Sequence, residues 1–514
     1  MLIPNIKEGK MKENTSVKTS RLLQISGIYF VLQIVFAVAL SFWLLIEHQP
    51  KTGDDVEHLH SAWLVFQGKV PYNDFFQHHN PLLWYLFAPI LGIFAYDIVV
   101  FDVVRFFSTF IMFITLFLVA KIIKKYMSNS WYAALIGVAS VFPSYVIYSG
   151  QDFRPDNYML FCFVAGLYYL LSYLENKKTK ALVLSFFMFA LSFFFMQKII
   201  FTLAVVGVIV VWLLVKKQIN LSDFYRALIL PLVCVLIFLF WLTYHGMVER
   251  YWLTNYIFNL YIPDVYGNLV EKTKPEFYVV SSIALIGSLY FIIKGNTSQR
   301  IISILWLIEA LQRVFYFSLD RHYYYQMQVF NAIMAGAILW VLIKKYNVLS
   351  LLCVLLSLAG CYTFGQYCLK MKLHPNYHRY VTPKYVIEQT NRCDAVLNGY
   401  GITYGIFSKD LTYYWNLNGQ LDVIGNKIGL APLHDLNRII ENNLPRIIYT
   451  GTYWDEKLKK QNIYAEVHKV SDRIKRKYYN QSLFVDVFIL KPEYQNRRRC
   501  KYDVNTNSWN YYNF

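Results

Sequence analysis

The sequence predicts a polytopic α-helical membrane protein that ends in a small α/β domain. Three observations carry that prediction. Of 514 residues, 56% are hydrophobic and 16% charged, a balance outside that of soluble globular chains. The apolar residues recur in runs of roughly 17–25, each long enough to cross ~30 Å of hydrocarbon as a helix. Beyond residue 370 the long runs stop, and the chain turns polar and rich in Tyr and Asn. The 18% of Phe, Tyr and Trp suits the aromatic belts of a membrane interface.

Residues 1–20 are polar and are expected to be a disordered cytoplasmic segment. The first apolar run, 22–46, is too long for a removable signal and lacks a small-residue cleavage site, so it reads as a retained span. Further spans are expected at 99–122, 131–148, 157–174, 181–197, 199–215, 227–244, 277–293, 301–318, 325–343 and 347–366. The apolar stretch 81–95 is short and carries Pro81 and Pro89, which predicts a re-entrant or interfacial helix. The membrane unit so defined, 21–369, would hold about 11–13 helices. Five loops are basic: Lys121/Lys124/Lys125, Lys177/Lys178/Lys180, Lys216/Lys217/Arg226, Lys294/Arg300 and Lys344/Lys345. The positive-inside rule puts all five in the cytoplasm. Loop 47–80, the turn 149–156, the loop 245–276, residues 319–324 and the tail 370–514 then fall outside.

In the tail, Thr382-Pro383 predicts a helix start, with Thr as N-cap and Pro in the first turn. Residues 395–397, 446–449 and 483–490 read as strands. The net charge of +18 would suggest nucleic acid in a soluble protein; here it marks topology, and no nucleic-acid partner is expected. The seven cysteines show no metal spacing. Cys162, Cys234, Cys353 and Cys361 lie in spans, and Cys393 and Cys500 in the tail leave room for one disulfide that sequence alone does not assign.

The chemistry concentrates at span ends on one side. Gly53-Asp54-Asp55-Val56-Glu57-His58 follows the first span, where an acidic pair costs desolvation and is of no use to a bare helix bundle. A carboxylate beside an acceptor hydroxyl can take its proton, so Asp54 and Asp55 are candidate catalytic residues; the competing reading is a solvated loop. Glu57 and His58 are candidates for holding an acceptor or sugar. His58, His60, His78 and His79 would permit a divalent metal, although no His-x-x-x-His pair supports one. Asp152-Phe153-Arg154-Pro155-Asp156 joins two more carboxylates to an arginine that could clamp a phosphate or bridge the acids. Lys198 interrupts two apolar runs and Arg105 begins a span on the same face; each suits a lipid phosphate or an interfacial anchor. Arg321-His322-Tyr323-Tyr324 mixes a cation with hydroxyls suited to sugars. Glu309 and Arg313, four apart inside a span, read as a structural ion pair.

The acidic pair, Ala62, Gly68, Pro71-Tyr72, Asp74-Phe75-Phe76 and Asn80-Pro81 together resemble the first outer loop of GT-C glycosyltransferases. The likeness is to the protein O-mannosyltransferase and lipid A aminoarabinose transferase group. Arg154-Pro155-Asp156, Gln197-Lys198 and Arg321-His322-Tyr323-Tyr324 extend it over about residues 22–345. The resemblance implies a polyprenyl-phosphate sugar donor and inverting transfer on the outer face of a bacterial plasma membrane, to a glycan, lipid or protein acceptor. It aligns Asp54 with the family's acidic base, while Asp55 stands where Glu is usual. Lys198 matches a basic residue near the donor phosphate, with Arg105, Arg154 and Arg321 as further candidates, and Asp152, Asp156, His322, Tyr323 and Tyr324 join Glu57 and His58 on the acceptor side. No cofactor is required, and a divalent metal remains an option. The tail resembles the small outer α/β domain of many bacterial members. An O-antigen polymerase or ligase, or a transporter or flippase, are the rival readings; the first would lean on a large outer loop, the second on mid-membrane polar residues and related halves.

Overall fold

The computed structural model describes residues 21–46, 53–141, 145–261, 275–315 and 321–373. In the tail it describes 378–391, 393–398, 405–411, 413, 424–425, 428–429, 436–449, 472–481, 487–495, 498–503 and 508–513. The membrane body begins with α1 (Arg21–Ile46), α2 (Gly53–Phe66), α3 (Leu82–Ile93), α4 (Val100–Ile122), α5 (Trp131–Val141) and α6 (Tyr145–Gly150). It continues with α7 (Pro155–Asn176), α8 (Thr179–Phe195), α9 (Ile200–Val215), α10 (Leu221–Tyr244) and α11 (Val248–Trp252). It closes with α12 (Pro275–Lys294), α13 (Thr297–Phe315), α14 (Arg321–Lys345) and α15 (Leu349–Leu373). Each predicted span coincides with helix over nearly all of its described residues, the exceptions being Val99, Met196, Asn347 and Val348 at or near span ends.

Among the described residues, seven helices are long and apolar enough to cross a membrane, and the chain is an integral membrane protein. Burial sorts them. The apolar windows of α7 and α14 are 72% and 78% buried, so these form the centre of the bundle, whereas α10 at 11% is peripheral and turns its side chains to lipid. The α5–α14 crossing depends on small residues. A Cβ on Gly137 would lie 2.4 Å from the Ala332 carbonyl, and one on Gly336 would lie 2.6 Å from that of Ala133. Larger side chains there would push the backbones apart.

The 12 residues of α3 extend only about 18 Å, too little to span, in keeping with the predicted re-entrant or interfacial helix. Its Leu83, Trp84, Phe87 and Leu91 face inward, and it packs along α2.

Four of the five predicted basic loops meet one another. Lys125 pairs with Glu175 at 2.5 Å, Lys177 Nζ donates to the Gln218 carbonyl at 2.7 Å, and Gln299 Nε2 donates to the Met127 carbonyl at 2.8 Å. They gather at the C-terminal end of α7, a full helix length from Arg154 and Asp156 at its start.

In the tail, α16 (His378–Gln389) contains Pro383 in its interior. The predicted start at Thr382-Pro383 is therefore corrected: the helix begins a turn earlier, and the local cap signal is overridden. β1 (Val396–Asn398), α17 (Leu436–Asn443) and β2 (Ile447–Tyr449) form a parallel crossover unit, as parallel strands require. After α18 (Asp472–Tyr478), β3 (Tyr479–Gln481) and β4 (Val487–Leu490) complete a four-stranded sheet of order β1-β2-β4-β3, with β4 antiparallel to both neighbours. The predicted strand 483–490 is seen at its second half; 482–486 lie outside the described residues. The sequence reading missed β3. A short α19 (Pro492–Gln495) precedes an antiparallel pair, β5 (Arg498–Asp503) and β6 (Ser508–Asn513). Cys393 is disulfide-bonded, and the four cysteines placed in spans are free. Residues 1–20, predicted to be disordered, lie outside the described residues.

Candidate active site

The two aspartates open α2, where a helix N-terminus favours negative charge, and then diverge. Adjacent helical residues point about 100° apart, and here that separates a buried acid from a half-exposed one. The Asp55 side chain is fully buried. Arg105 donates to its Oδ2 through Nε (3.2 Å) and Nη2 (2.7 Å), and the Phe153 N–H donates to its Oδ1 at 2.5 Å. Asp55 thus fastens α2 to α4 and to the turn before α7. The Asp54 side chain is 34% exposed and accepts from Arg154.

From Asp54 a line of alternating charge runs inward. Arg154 Nε donates to Asp156 Oδ2 at 3.0 Å, and Asp156 Oδ1 accepts from Lys198. Pro155 at the first position of α7 fixes the turn, and Asn157 Nδ2 braces it by donating to the Asp152 carbonyl at 2.6 Å. The structure brings Asp54, Arg154, Asp156 and Lys198 together as predicted. Of the two readings of the Asp152–Asp156 turn, the bridging one is observed: Arg154 joins Asp156 within its own turn to Asp54 across on α2. Arg105, expected beside a donor phosphate, is placed elsewhere: a guanidinium this enclosed needs a carboxylate, and Asp55 supplies it. Glu57, His58, Asp152 and Asp156, expected to touch an acceptor, are all buried. Arg321, His322, Tyr323 and Tyr324 open α14, and their side chains lie outside the described residues.

Lys198 sits in a short 3-10 turn, Gln197–Ile199, between α8 and α9. It lines a cavity of about 260 Å³ whose walls include Arg313 and the apolar Phe201, Trp252, Tyr256 and Leu260. Arg313 is a residue the sequence reading left as structural. Its Nη2 does donate to Glu309 Oε2 (3.1 Å), and Thr202 (2.6 Å) and Gln326 (2.8 Å) complete the acceptor's shell. The cavity gives that costly pair a second use. A wider π turn, Leu253–Ile257, loosens the backbone beside the cavity. It frees the Asn255 carbonyl to accept from Gln197 (3.2 Å) and Asn259 (2.9 Å). A larger cavity of about 610 Å³ lies in the tail, between α16, β1 and the start of β2.

The Pro71-Tyr72 motif is a scaffold. Tyr72 adopts a left-handed backbone, φ +67°, and its buried hydroxyl donates to the His79 carbonyl at 2.5 Å. This seats residues 78–80 against α2. Trp84 Nε1 donates to His58 Nδ1 at 3.2 Å, so His58 is neutral with its proton on Nε2. Burial, reinforced by the Arg154 charge, pushes the His58 pKa down to about 3. Burial also pushes His78 down to about 4, and His79 well below the usual range.

His60, grouped with the metal candidates by sequence, serves the tail instead. Its Nδ1 lies 2.8 Å from the Ile406 carbonyl and its Nε2 2.7 Å from Asp410 Oδ2. Both partners are acceptors, so the ring carries both protons. Around it, Phe407 packs edge-on against Trp63 at 5.1 Å, and Tyr413 accepts from the Phe76 N–H at 2.8 Å. Burial opposes the His60 charge, but Asp410 and the Ile406 and Gly405 backbone outweigh it and raise the pKa above 6.5. Asp410 is the charged group facing the ring. A raised value stabilises the contact below about pH 6.5, and the contribution is lost as pH rises through the folded value. Protease access to residues 405–413 is therefore expected to increase with pH in the wild type. Asp410→Asn should raise access already at pH 6 and flatten the profile; an unchanged profile would remove His60 as the clamp.

Residues 78–244 match the profile of the family described as dolichyl-phosphate-mannose-protein mannosyltransferase. That stretch holds His78, His79, Arg105, Arg154, Asp156 and Lys198. The chain superposes on the crystal structure of ArnT from Cupriavidus metallidurans bound to undecaprenyl phosphate with TM-score 0.56 and 10% identity, covering 90% of this chain and 97% of that one. For the apo state of ArnT the values are 0.51, 11%, 89% and 97%. The Archaeoglobus fulgidus oligosaccharyltransferase in the apo form gives 0.47 and 13%, over 94% of this chain and 74% of that one. No curated protein matches the chain in sequence. At such identities the likeness to ArnT establishes the fold: the chain has the GT-C architecture, as the resemblance of its first outer loop implied.

Proposed function

We propose that this chain is an inverting membrane glycosyltransferase that moves a sugar from a polyprenyl-phosphate carrier to an acceptor hydroxyl. The observation that carries the reading is the line from half-exposed Asp54, through Arg154 and Asp156, to Lys198 at the wall of an aromatic-lined cavity. A cavity with two cations and an apolar wall suits a phosphate on a lipid tail. The undecaprenyl phosphate held by ArnT and the lipid-linked donor in the family's description support the same chemistry. Asp54 takes the acceptor's proton, the freed oxygen attacks the anomeric carbon, and the bond from that carbon to the phosphate oxygen breaks. Lys198 and Arg313 stabilise the charge arriving on the departing phosphate. Arg154 holds the Asp54 carboxylate in position.

The reading places the site outside a bacterial plasma membrane. It treats 21–369 as the membrane unit and 370–514 as a second unit. The Cys393 disulfide supports an oxidising compartment for the tail. Assays of purified, detergent-solubilised protein with polyprenyl-phosphate sugars test it. Lys198→Ala is expected to raise the donor KM by about 10–100-fold, as loss of a charge-assisted contact of roughly 1.5–3 kcal/mol predicts. An unchanged KM across donors would separate the cavity from the reaction.

A further inference from the structure

We infer that Glu57, His78 and His79 form a binding site for one divalent cation of the zinc type. Their ligand atoms lie within 4.8 Å of one another, one from each residue. The hydrogen bonds around them leave lone pairs facing each other. Asn259 Nδ2 donates to the His78 and Asn255 carbonyls, both at 2.9 Å, which fixes the amide orientation. Its Oδ1 therefore accepts from His78 Nδ1 at 2.9 Å, and a neutral His78 turns the lone pair of Nε2 the other way. That lone pair meets Glu57 Oε1 at 3.7 Å.

The carboxylate is pinned as well. Gln77 Nε2 donates to Glu57 Oε1 at 3.1 Å and to Ser61 Oγ at 2.7 Å, while Gln77 Oε1 accepts from the His78 N–H at 3.2 Å. Two acceptors held face to face repel unless something positive lies between them. Their spacing is too long for a hydrogen bond and close to the ~3.4 Å that separates two ligands of a tetrahedral zinc. The third ligand stands beside them. The His79 ring centroid is 4.0 Å from that of His78, and its buried Nδ1 has no hydrogen-bond partner.

Two imidazoles and a carboxylate are a donor set that zinc accepts with one position left over. His79 also lines the cavity that holds Lys198, so the open position faces that cavity. Asn259 holds the tautomer of His78 as outer partners of metal-bound histidines do. A bound ion would tie α2 to residues 78–79 one turn from Asp54. The inference concerns binding and stands apart from the transferase reading.

Whole protein purified through a histidine-free tag, stripped with chelator and titrated with Co²⁺ alone, is expected to bind one equivalent with visible absorption bands. Zn²⁺ should displace it and raise the Tm. Glu57→Gln, which keeps an acceptor for Gln77, and His78→Ala should each weaken binding by at least ~100-fold. Asn259→Ala should do so by about 10–100-fold. His245→Ala, at a half-buried histidine outside the cluster, should bind as the wild type does. Absence of a stoichiometric metal in the wild type, or equal affinity in the Glu57→Gln and His78→Ala proteins, overturns the site. Unfolding curves of the metal-free variants check that each is folded.

Discussion

Asn in place of Asp54 is expected to lower sugar transfer by about 10²–10⁴-fold, the contribution typical of a general base, with yield and Tm close to wild type. Asn keeps the shape and still accepts from Arg154, but it cannot take a proton. The cost to stability should be small, because the Asp54 carboxylate is a third exposed and partly exposed ion pairs contribute at most about 1 kcal/mol. Donor binding should persist, because Lys198 and the cavity are untouched. Measurement of kcat and KM on purified protein separates the two. Near-normal kcat would remove Asp54 from the proton-transfer step and return the polymerase and transporter readings to consideration.

Asp55→Asn is expected to fail for a different reason. It removes the carboxylate that faces the buried Arg105 guanidinium, and breaking a buried pair in this way costs about 3–5 kcal/mol. Low yield and a lowered Tm are the expected result, with loss of activity following loss of fold. Adding Arg105→Met to Asp55→Asn should recover much of the stability, since no charge is then stranded. Thermal unfolding of both proteins in detergent decides it. A folded but inactive Asp55→Asn protein would exchange the roles of the two aspartates.

Hydropathy and run length made the membrane body legible, because a spanning helix is specified by a local stretch of sequence. The one-sided clustering of Asp54, Arg154, Asp156 and Lys198 was legible too: loop charge orders the spans, and the resemblance supplied Asp54. What stayed hidden depended on distant partners. Nothing near Asp55 says that Arg105 will bury it, and nothing near His60 announces Asp410. Arg313 was visible as an expensive pair, but its place on a cavity wall needs α9 and the π turn beside it. At Thr382-Pro383 a local cap signal did not set the start of the helix, which begins at His378.

The contact of residues 405–413 with α2 also has a consequence in time. His60 meets a partner 350 residues later in the chain. At a synthesis rate of about 5–20 residues per second, α2 exists for roughly 20–70 s before Asp410 is made. For that interval the surface carrying the acidic pair lacks the segment that packs over Trp63 and receives the Phe76 amide. A segment of the tail thus completes a helix made some 350 residues earlier, and an early stop codon ahead of Asp410 would leave every predicted span in place with α2 unfinished.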